Sequence, residues 1–240
     1  VSRNPYETDR YLHEYLLFHF GTPRQICPHP IVPREALQFH RRILQRNLLP
    51  VRSRRESTGL DVGCAVGRMT FELARKLGHV TGVDNSRTFI RAAQRMQRTG
   101  MARVRVHDEG SRYREINVRH QTTGQVSFQV GDAQNLGKLA GAPFDVVAAI
   151  NLMCRLPEPR RFFAQLPELV KPTGQLILAS PFSWLPEYTA SSRWIHSDEL
   201  LALLRPHFHM ARHNKLPFVI REHSRKYQFV FSDVFTFIRL

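Results

Sequence analysis

Apolar positions along this chain recur with two alternating periods. Residues 8–20 place Leu12, Tyr15, Leu16 and His19 on one helical face, with Thr8 as a candidate N-cap and Gly21-Thr22-Pro23 as a stop. A proline-rich loop over 27–33 leads to a second helix expected over 34–48. A strict alternation of short apolar runs and amphipathic segments then begins. A strand ending at Asp61 precedes a helix over 68–77. A strand over 79–83 precedes a helix over 86–98, whose inward residues are Phe89, Ile90, Ala93 and Met96. Further strands are expected at 126–130, 144–150 and 175–179, with helices over 159–170 and 197–204. Two more strands, near 207–213 and 227–238, close the chain. Residues 101–125 break the rhythm. They are polar, carry no evident period and exceed an ordinary connection, so they read as an insertion in the form of a small hairpin or flap.

Strands alternating with helices over this length predict an α/β fold, a doubly wound and mostly parallel sheet of seven strands. The last two strands have no helix between them, so they form an antiparallel hairpin at one edge. The expected division is a helical cap or lid over 1–50 and a sheet domain over 51–240. In such sheets ligands sit at the carboxyl ends of the strands, which allows a site to be collected from the sequence.

After the first strand comes Asp61-Val62-Gly63-Cys64-Ala65-Val66-Gly67-Arg68. A dinucleotide site would need G-x-G-x-x-G facing a pyrophosphate. The turn here has small residues at 63, 65 and 67, and the carboxylate before it would repel a pyrophosphate. It suits a ligand that carries an ammonium and a sulfonium. Asp84 ends the second strand, where a carboxylate can accept both hydroxyls of a ribose, with Asn85 and Ser86 beside it. Asp132 and Ala133 follow the 126–130 strand and fit an adenine amino group and ring. Asn151 follows the 144–150 strand. This order of features resembles the class I S-adenosylmethionine (SAM) methyltransferases. The resemblance implies SAM as cofactor, held by Asp61, Gly63, Cys64, Ala65, Gly67, Asp84, Asn85, Ser86, Asp132, Ala133 and Asn151.

The resemblance narrows beyond that turn. It is carried by Tyr6-Glu7-Thr8-Asp9-Arg10, the segment from Glu14 to Gly21, the 61–68 turn, Asn151-Leu152-Met153-Cys154-Arg155-Leu156-Pro157, the segment from Ser180 to Leu185, and Arg221-Glu222-His223-Ser224-Arg225-Lys226-Tyr227. Together these are similar to the mercaptohistidine N-methyltransferase family, the fused or free-standing methyltransferase domains of ovothiol biosynthesis. The family implies methyl transfer from SAM to a ring nitrogen of 5-thiohistidine (4-mercaptohistidine), giving ovothiol A. It also implies a sulfoxide synthase as a fused or separate partner. His223 and Glu222 are then the candidate bases, with Tyr227 as an orienting phenol. Arg221, Arg225 and Lys226 are candidates for the amino-acid carboxylate, and Arg155, Trp184 and Tyr15 for other substrate contacts. Tyr6, Tyr11 and Tyr15 are expected to cover the cofactor as a lid.

Charge and cysteine content change this picture little. Thirty-five Lys and Arg stand against 20 Asp and Glu, a net charge of +15. Arginines cluster over 41–55 and 98–119, a possible footprint for a polyanion. Neither cluster has the aromatic interleaving of a single-strand platform, and no N-P-P-[YF] motif follows the 144–150 strand. A nucleic-acid methyltransferase is therefore the rival reading, and a SAM-binding domain without catalysis is the second. Cys27, Cys64 and Cys154 are widely spaced and without C-x-x-C, which suits reduced thiols and a cytoplasmic chain. No apolar run reaches membrane-spanning length. The pairs Cys27 with His29 and His207 with His209 supply too few ligands for a closed metal site, so no metal is expected.

Overall fold

A computed structural model describes residues 4–29, 32–137, 139 and 141–240; Pro30 and Ile31 of the proline-rich loop lie outside it. Nine strands follow in chain order. They are β1 (Thr58–Val62), β2 (His79–Asp84), β3 (Met101–Glu109), β4 (Arg112–Arg119), β5 (Gln125–Val130), β6 (Phe144–Ile150), β7 (Val170–Ser180), β8 (Phe208–His223) and β9 (Lys226–Arg239). Seven form one sheet in the order β5-β2-β1-β6-β7-β9-β8, while β3 and β4 pair only with each other. The first five strands of that order are parallel, and β9 runs antiparallel to both of its neighbours. This is a doubly wound, mostly parallel Rossmann-like sheet with a C-terminal antiparallel pair.

Burial on both faces explains the apolar runs. In β6, Val146 and Ala148 face one core while Val147 and Ala149 face the other. The first core packs against α1 (Asp9–Phe20), α3 (Phe39–Asn47), α4 (Arg68–Ala74) and α5 (Arg87–Thr99). The second packs against α6 (Pro159–Leu169) and α7 (Ser197–Leu204). A one-turn helix, α2 (Pro23–Ile26), starts with a capping box between Thr22 and Gln25. In β1, Leu60 and Val62 enter the second core, so Asp61 points to the first face, where the Thr70 hydroxyl donates to its Oδ2 at 2.7 Å.

The 101–125 segment has a period after all. Ala102, Val104 and Val106 are buried on alternate positions of β3, and the charged residues between them are exposed. Arg103 and Arg105, set between the buried positions, hide an ordinary half-buried strand.

The larger departure is at the C-terminus. The expected strand over 207–213 runs on to His223. Because β7 pairs with β9 only as far as Ser180 with Asp233, residues 216–232 project past the carboxyl edge as a two-stranded arm. At about 3.3 Å per residue the arm reaches roughly 20 Å beyond the sheet. Its tip docks on the tip of the β3–β4 hairpin. The Ser224 hydroxyl donates to the Asp108 carbonyl at 2.6 Å, and Arg225 pairs with Glu109 at 2.9 Å. Among the described residues no helix is long and apolar enough to cross a membrane.

Candidate active site

The carboxyl ends of β1, β2, β5 and β6 open into one cavity, roofed by α1, α3 and the β8–β9 arm. Its two ends differ in chemistry.

One end is built by the strand termini. Asp61, Gly63, Cys64, Ala65, Asp84, Asn85, Asp132, Ala133 and Asn151 all line it. Backbone geometry restricts the turn after β1. Gly63 sits at φ +72°, and a Cβ there would meet Leu152 Cδ1 at 2.8 Å. Ala65, at φ +47°, tolerates its left-handed conformation while its N–H donates to Asp84 Oδ2 at 2.9 Å. The other Asp84 oxygen accepts the Ser86 N–H at 2.8 Å, which holds the carboxylate in place. Asn151 is also left-handed, at φ +55°, and its side-chain carbonyl accepts the Ser232 hydroxyl at 2.8 Å. Burial pushes Asp61 up to about 7 and Asp84 up to about 6, and neither carboxylate meets a cation among the described residues. An acidic, cation-seeking pocket beside a turn with no room for a side chain at Gly63 fits SAM, whose ammonium, sulfonium, ribose diol and adenine amine all favour carboxylates.

Two expected cofactor residues stand behind this wall. Gly67, at φ +93°, starts α4 and packs against Phe128 and Ala93. Ser86 caps α5 by accepting the Phe89 N–H, and its hydroxyl donates to the Tyr6 carbonyl at 3.0 Å. Both shape the cofactor end without lining it. Cys64 is buried, and desolvation pushes its thiol well above the usual range. It is an apolar wall there rather than a nucleophile.

The other end is aromatic. Phe18, His19, His40, Phe218, Ile220, Val230 and Gln228 line it, drawn from α1, α3, β8 and β9. Tyr6 and Tyr15 join the two ends. Tyr6 stacks on Tyr188 with centroids 6.1 Å apart and meets Tyr15 edge-on at 5.9 Å. Burial pushes the Tyr15 phenol up to about 12 and holds Tyr6 higher still, so both stay protonated. The N-terminal segment that carries Tyr6 is pinned by Glu7, whose carboxylate accepts the Arg87 and Thr88 N–H groups at the start of α5. Tyr11 packs on Tyr6 at 5.5 Å and is not part of the cavity wall.

Arg155 lies at the junction of the two ends. It spends one nitrogen, Nη1, on the Cys154 and Ser183 carbonyls, at 2.9 and 2.8 Å, and sits 5.0 Å above the Tyr188 ring. No carboxylate among the described residues pairs with it.

The 221–227 segment is placed differently. Strand alternation sends Phe218 and Ile220 into the cavity and Arg221 to the opposite face, where Nη1 donates to the Gln25 carbonyl at 3.1 Å. Arg221 is only 4% exposed, and its Nε has no partner among the described residues. His223 faces the hairpin tip, with its ring 5.6 Å from that of His107. Arg225 is taken by Glu109, and Lys226 pairs with Glu222 at 2.8 Å. Tyr227 donates to the Ser224 carbonyl at 3.2 Å. Glu222 alone shares the cavity side of β8. It accepts the Gln228 amide at 2.8 Å, one residue outside the wall. Trp184 packs on the core beside α6 and α7, outside the cavity. Of the proposed catalytic and substrate residues, the cavity therefore brings together Tyr15 and Arg155, with Glu222 at its margin. The residues the sequence reading passed over are His19 as a wall residue, His40, Phe218 and Gln228. Sitting among Phe residues on apolar faces, the two histidines look like ordinary core positions.

Residues 60–178 match a methyltransferase domain family. Over 121 residues, half of this chain, the sequence is 33% identical to a ubiquinone biosynthesis O-methyltransferase of Maricaulis maris, covering 39% of that protein. It is 28% identical to one of Coxiella burnetii, covering 42% of it. The chain thus spans about two fifths of the length of these curated relatives. The structure of a SAM-dependent methyltransferase from Methanosarcina mazei superimposes with a TM-score of 0.55 at 20% identity, over 81% of this chain and 99% of that one. Strand order, the acidic turn and the matched domain agree: the chain belongs to the class I SAM-dependent methyltransferases.

Proposed function

We propose that this chain methylates a ring nitrogen of a small heteroaromatic amino acid, 5-thiohistidine, with SAM as donor, and that it does so alone or joined to the sulfoxide synthase that supplies such a substrate. The observation that carries the reading is the aromatic end of the cavity. Four rings and the phenols of Tyr6 and Tyr15 enclose a slot suited to one planar ring, while Arg155 beside them has unused donors for a carboxylate. The narrower identity of the acceptor rests on the family resemblance, which the 151–157 and 221–227 segments narrow.

When bound, SAM supplies an electrophilic methyl group on a sulfonium. The chain's work is then to hold an acceptor lone pair in line with that methyl and to keep water out. Asp61 and Asp84 neutralise and anchor the cationic cofactor. Tyr6 and Tyr15, protonated and buried, close the junction and offer hydroxyls without adding charge. The N–CH3 bond forms as the S–CH3 bond breaks and its electron pair stays on sulfur. The cation left on the acceptor loses its thiol proton to solvent, so no strong protein base is needed.

A nucleic-acid acceptor is disfavoured because α1, α3 and the β8–β9 arm wall the aromatic end with apolar rings, and among the described residues only Arg155 brings a cationic Lys or Arg side chain to the lining. The test is a mass-spectrometric assay with SAM and, in parallel, 5-thiohistidine, histidine and bulk RNA. Methylated thiohistidine with little product from the others supports the proposal. Methylated RNA alone would move the acceptor site to the arginine-rich surface.

A further inference from the structure

His40 is a polar residue in the aromatic wall of the cavity. It lies on α3, is 6% exposed, and lines the cavity. Its ring sits 4.2 Å from that of His19 and 5.2 Å from that of Phe18. His19 has a structural role: its Nδ1 accepts the Arg68 N–H at 3.3 Å, which places its proton on Nε2, and its carbonyl accepts Arg68 Nη1. The ring nitrogens of His40 bond to no described residue. They are not among the buried polar atoms that lack a partner, so the polar edge of the ring opens on the cavity rather than on the core. Such a group persists where something that enters the cavity uses it.

We infer that His40 is a catalytic residue that accepts a hydrogen bond from the ring N–H of the acceptor, so that the other ring nitrogen turns its lone pair toward the methyl group. This rests on the heteroaromatic acceptor proposed above and names the residue that selects its tautomer. His19 and Phe18 meet His40 at tilted angles and hold its ring in place, and Phe218, which packs on Phe18 at 5.7 Å, continues the same wall. Burial holds His40 at about 3, far below the ordinary histidine range, so it stays an acceptor throughout the working pH range. A sulfonium nearby lowers it further and so preserves the role. The same hydrogen bond would reject acceptors that have no ring N–H, which gives the slot a basis for choosing its ring.

The test has two arms. In the first, His40→Leu and His40→Asn are compared with wild type in methyl transfer to 5-thiohistidine, with SAM affinity followed by calorimetry. His40→Leu should lose about 100-fold in kcat/KM, and His40→Asn, which keeps an acceptor oxygen, about tenfold. SAM affinity should stay within about twofold in both, because the cofactor end is built elsewhere. Equal small losses in the two variants, under about threefold, would overturn the inference.

The second arm uses wild-type protein with 15N-labelled histidine, so it does not depend on a variant that folds. The His40 signals, assigned by through-bond correlations in wild-type protein, should move when 5-thiohistidine is added to the S-adenosylhomocysteine complex. Movement confined to other histidines would overturn the inference. If thiohistidine does not bind at all, the proposed acceptor is wrong, and imidazole becomes the probe. Imidazole that moves the His40 signals keeps His40 as the ring contact; imidazole that leaves them in place removes it.

Discussion

The two ends of the cavity respond to burial in opposite ways. At the cofactor end, desolvation raises Asp61 and Asp84, so each is held near the point of ionisation and gives up a proton readily when a cation arrives. At the aromatic end, desolvation depresses His19 and His40 and raises Tyr15, so every one of these groups is neutral. One physical cause therefore makes one end a receptor for a cation and the other a receptor for an uncharged ring. A reaction that joins a sulfonium to a neutral nucleophile needs that asymmetry.

The largest test of the asymmetry is Asp84→Ala. It removes the carboxylate offered to the ribose diol and leaves the N–H groups of Ala65 and Ser86 without their acceptor. Two hydrogen bonds to a charged acceptor are worth about 1.5–3 kcal/mol each. SAM affinity measured by calorimetry should fall roughly 100-fold or more. An unchanged affinity in a folded variant would mean that the cofactor end has been misplaced.

The acidic end was legible in the sequence and the aromatic end was not, for a physical reason. Asp61, Gly63, Asp84 and Asp132 lie at the ends of consecutive strands, so local spacing and the sheet-edge rule together put them in one place. The slot takes His19 from α1, His40 from α3 and Phe218 from β8, segments up to 199 residues apart in number, and only packing joins them. Arg221 and His223 show the converse. Their composition suggested a zwitterion site, but β8 runs on past the sheet, where Arg221 turns to the Gln25 carbonyl and His223, beside a register shift in the arm, turns to His107 of the hairpin tip.

Asp61→Asn sharpens the comparison through pH. In the native chain Asp61 titrates near 7 against an ordinary 3.8, so between those values the folded state binds more protons than the unfolded state. Its burial therefore costs stability progressively as pH rises through that window. Asparagine can still accept the Thr70 hydroxyl and removes the buried charge. At pH 8 the SAM-free variant should be more stable than wild type by about 1–3 kcal/mol in urea, with the gain vanishing near pH 4. In wild type, SAM affinity should rise as pH increases from about 5.5 to 7.5, by up to roughly tenfold per unit for each proton released on binding, and level off above that. A flat profile would show that the carboxylates are already ionised in the free protein.

Arg155→Met asks on which side of the junction the guanidinium works. If it holds the acceptor's carboxylate, KM for thiohistidine should rise about tenfold, the worth of one charge-assisted hydrogen bond, while SAM affinity changes less than threefold. Should SAM affinity fall instead, Arg155 belongs to the cofactor end and the acceptor's carboxylate lies nearer Gln228 and Glu222 at the cavity margin.

The smallest effects are expected where the sequence suggested the largest. His223→Ala and Arg225→Ala alter the contact between the arm and the β3–β4 hairpin, and the Arg225–Glu109 pair is exposed on both sides. An exposed pair of this kind contributes at most about 1 kcal/mol. Turnover should change by less than about twofold in either variant, and SAM affinity not at all. The docked tips have several independent contacts, the Ser224 hydroxyl on the Asp108 carbonyl among them, so the loss of one leaves the roof in place. A large fall in kcat for His223→Ala would mean that the tip reaches the acceptor when the site is filled. The arm would then be a moving part of the active site, and the neutral wall around His40 only half of the acceptor's surroundings.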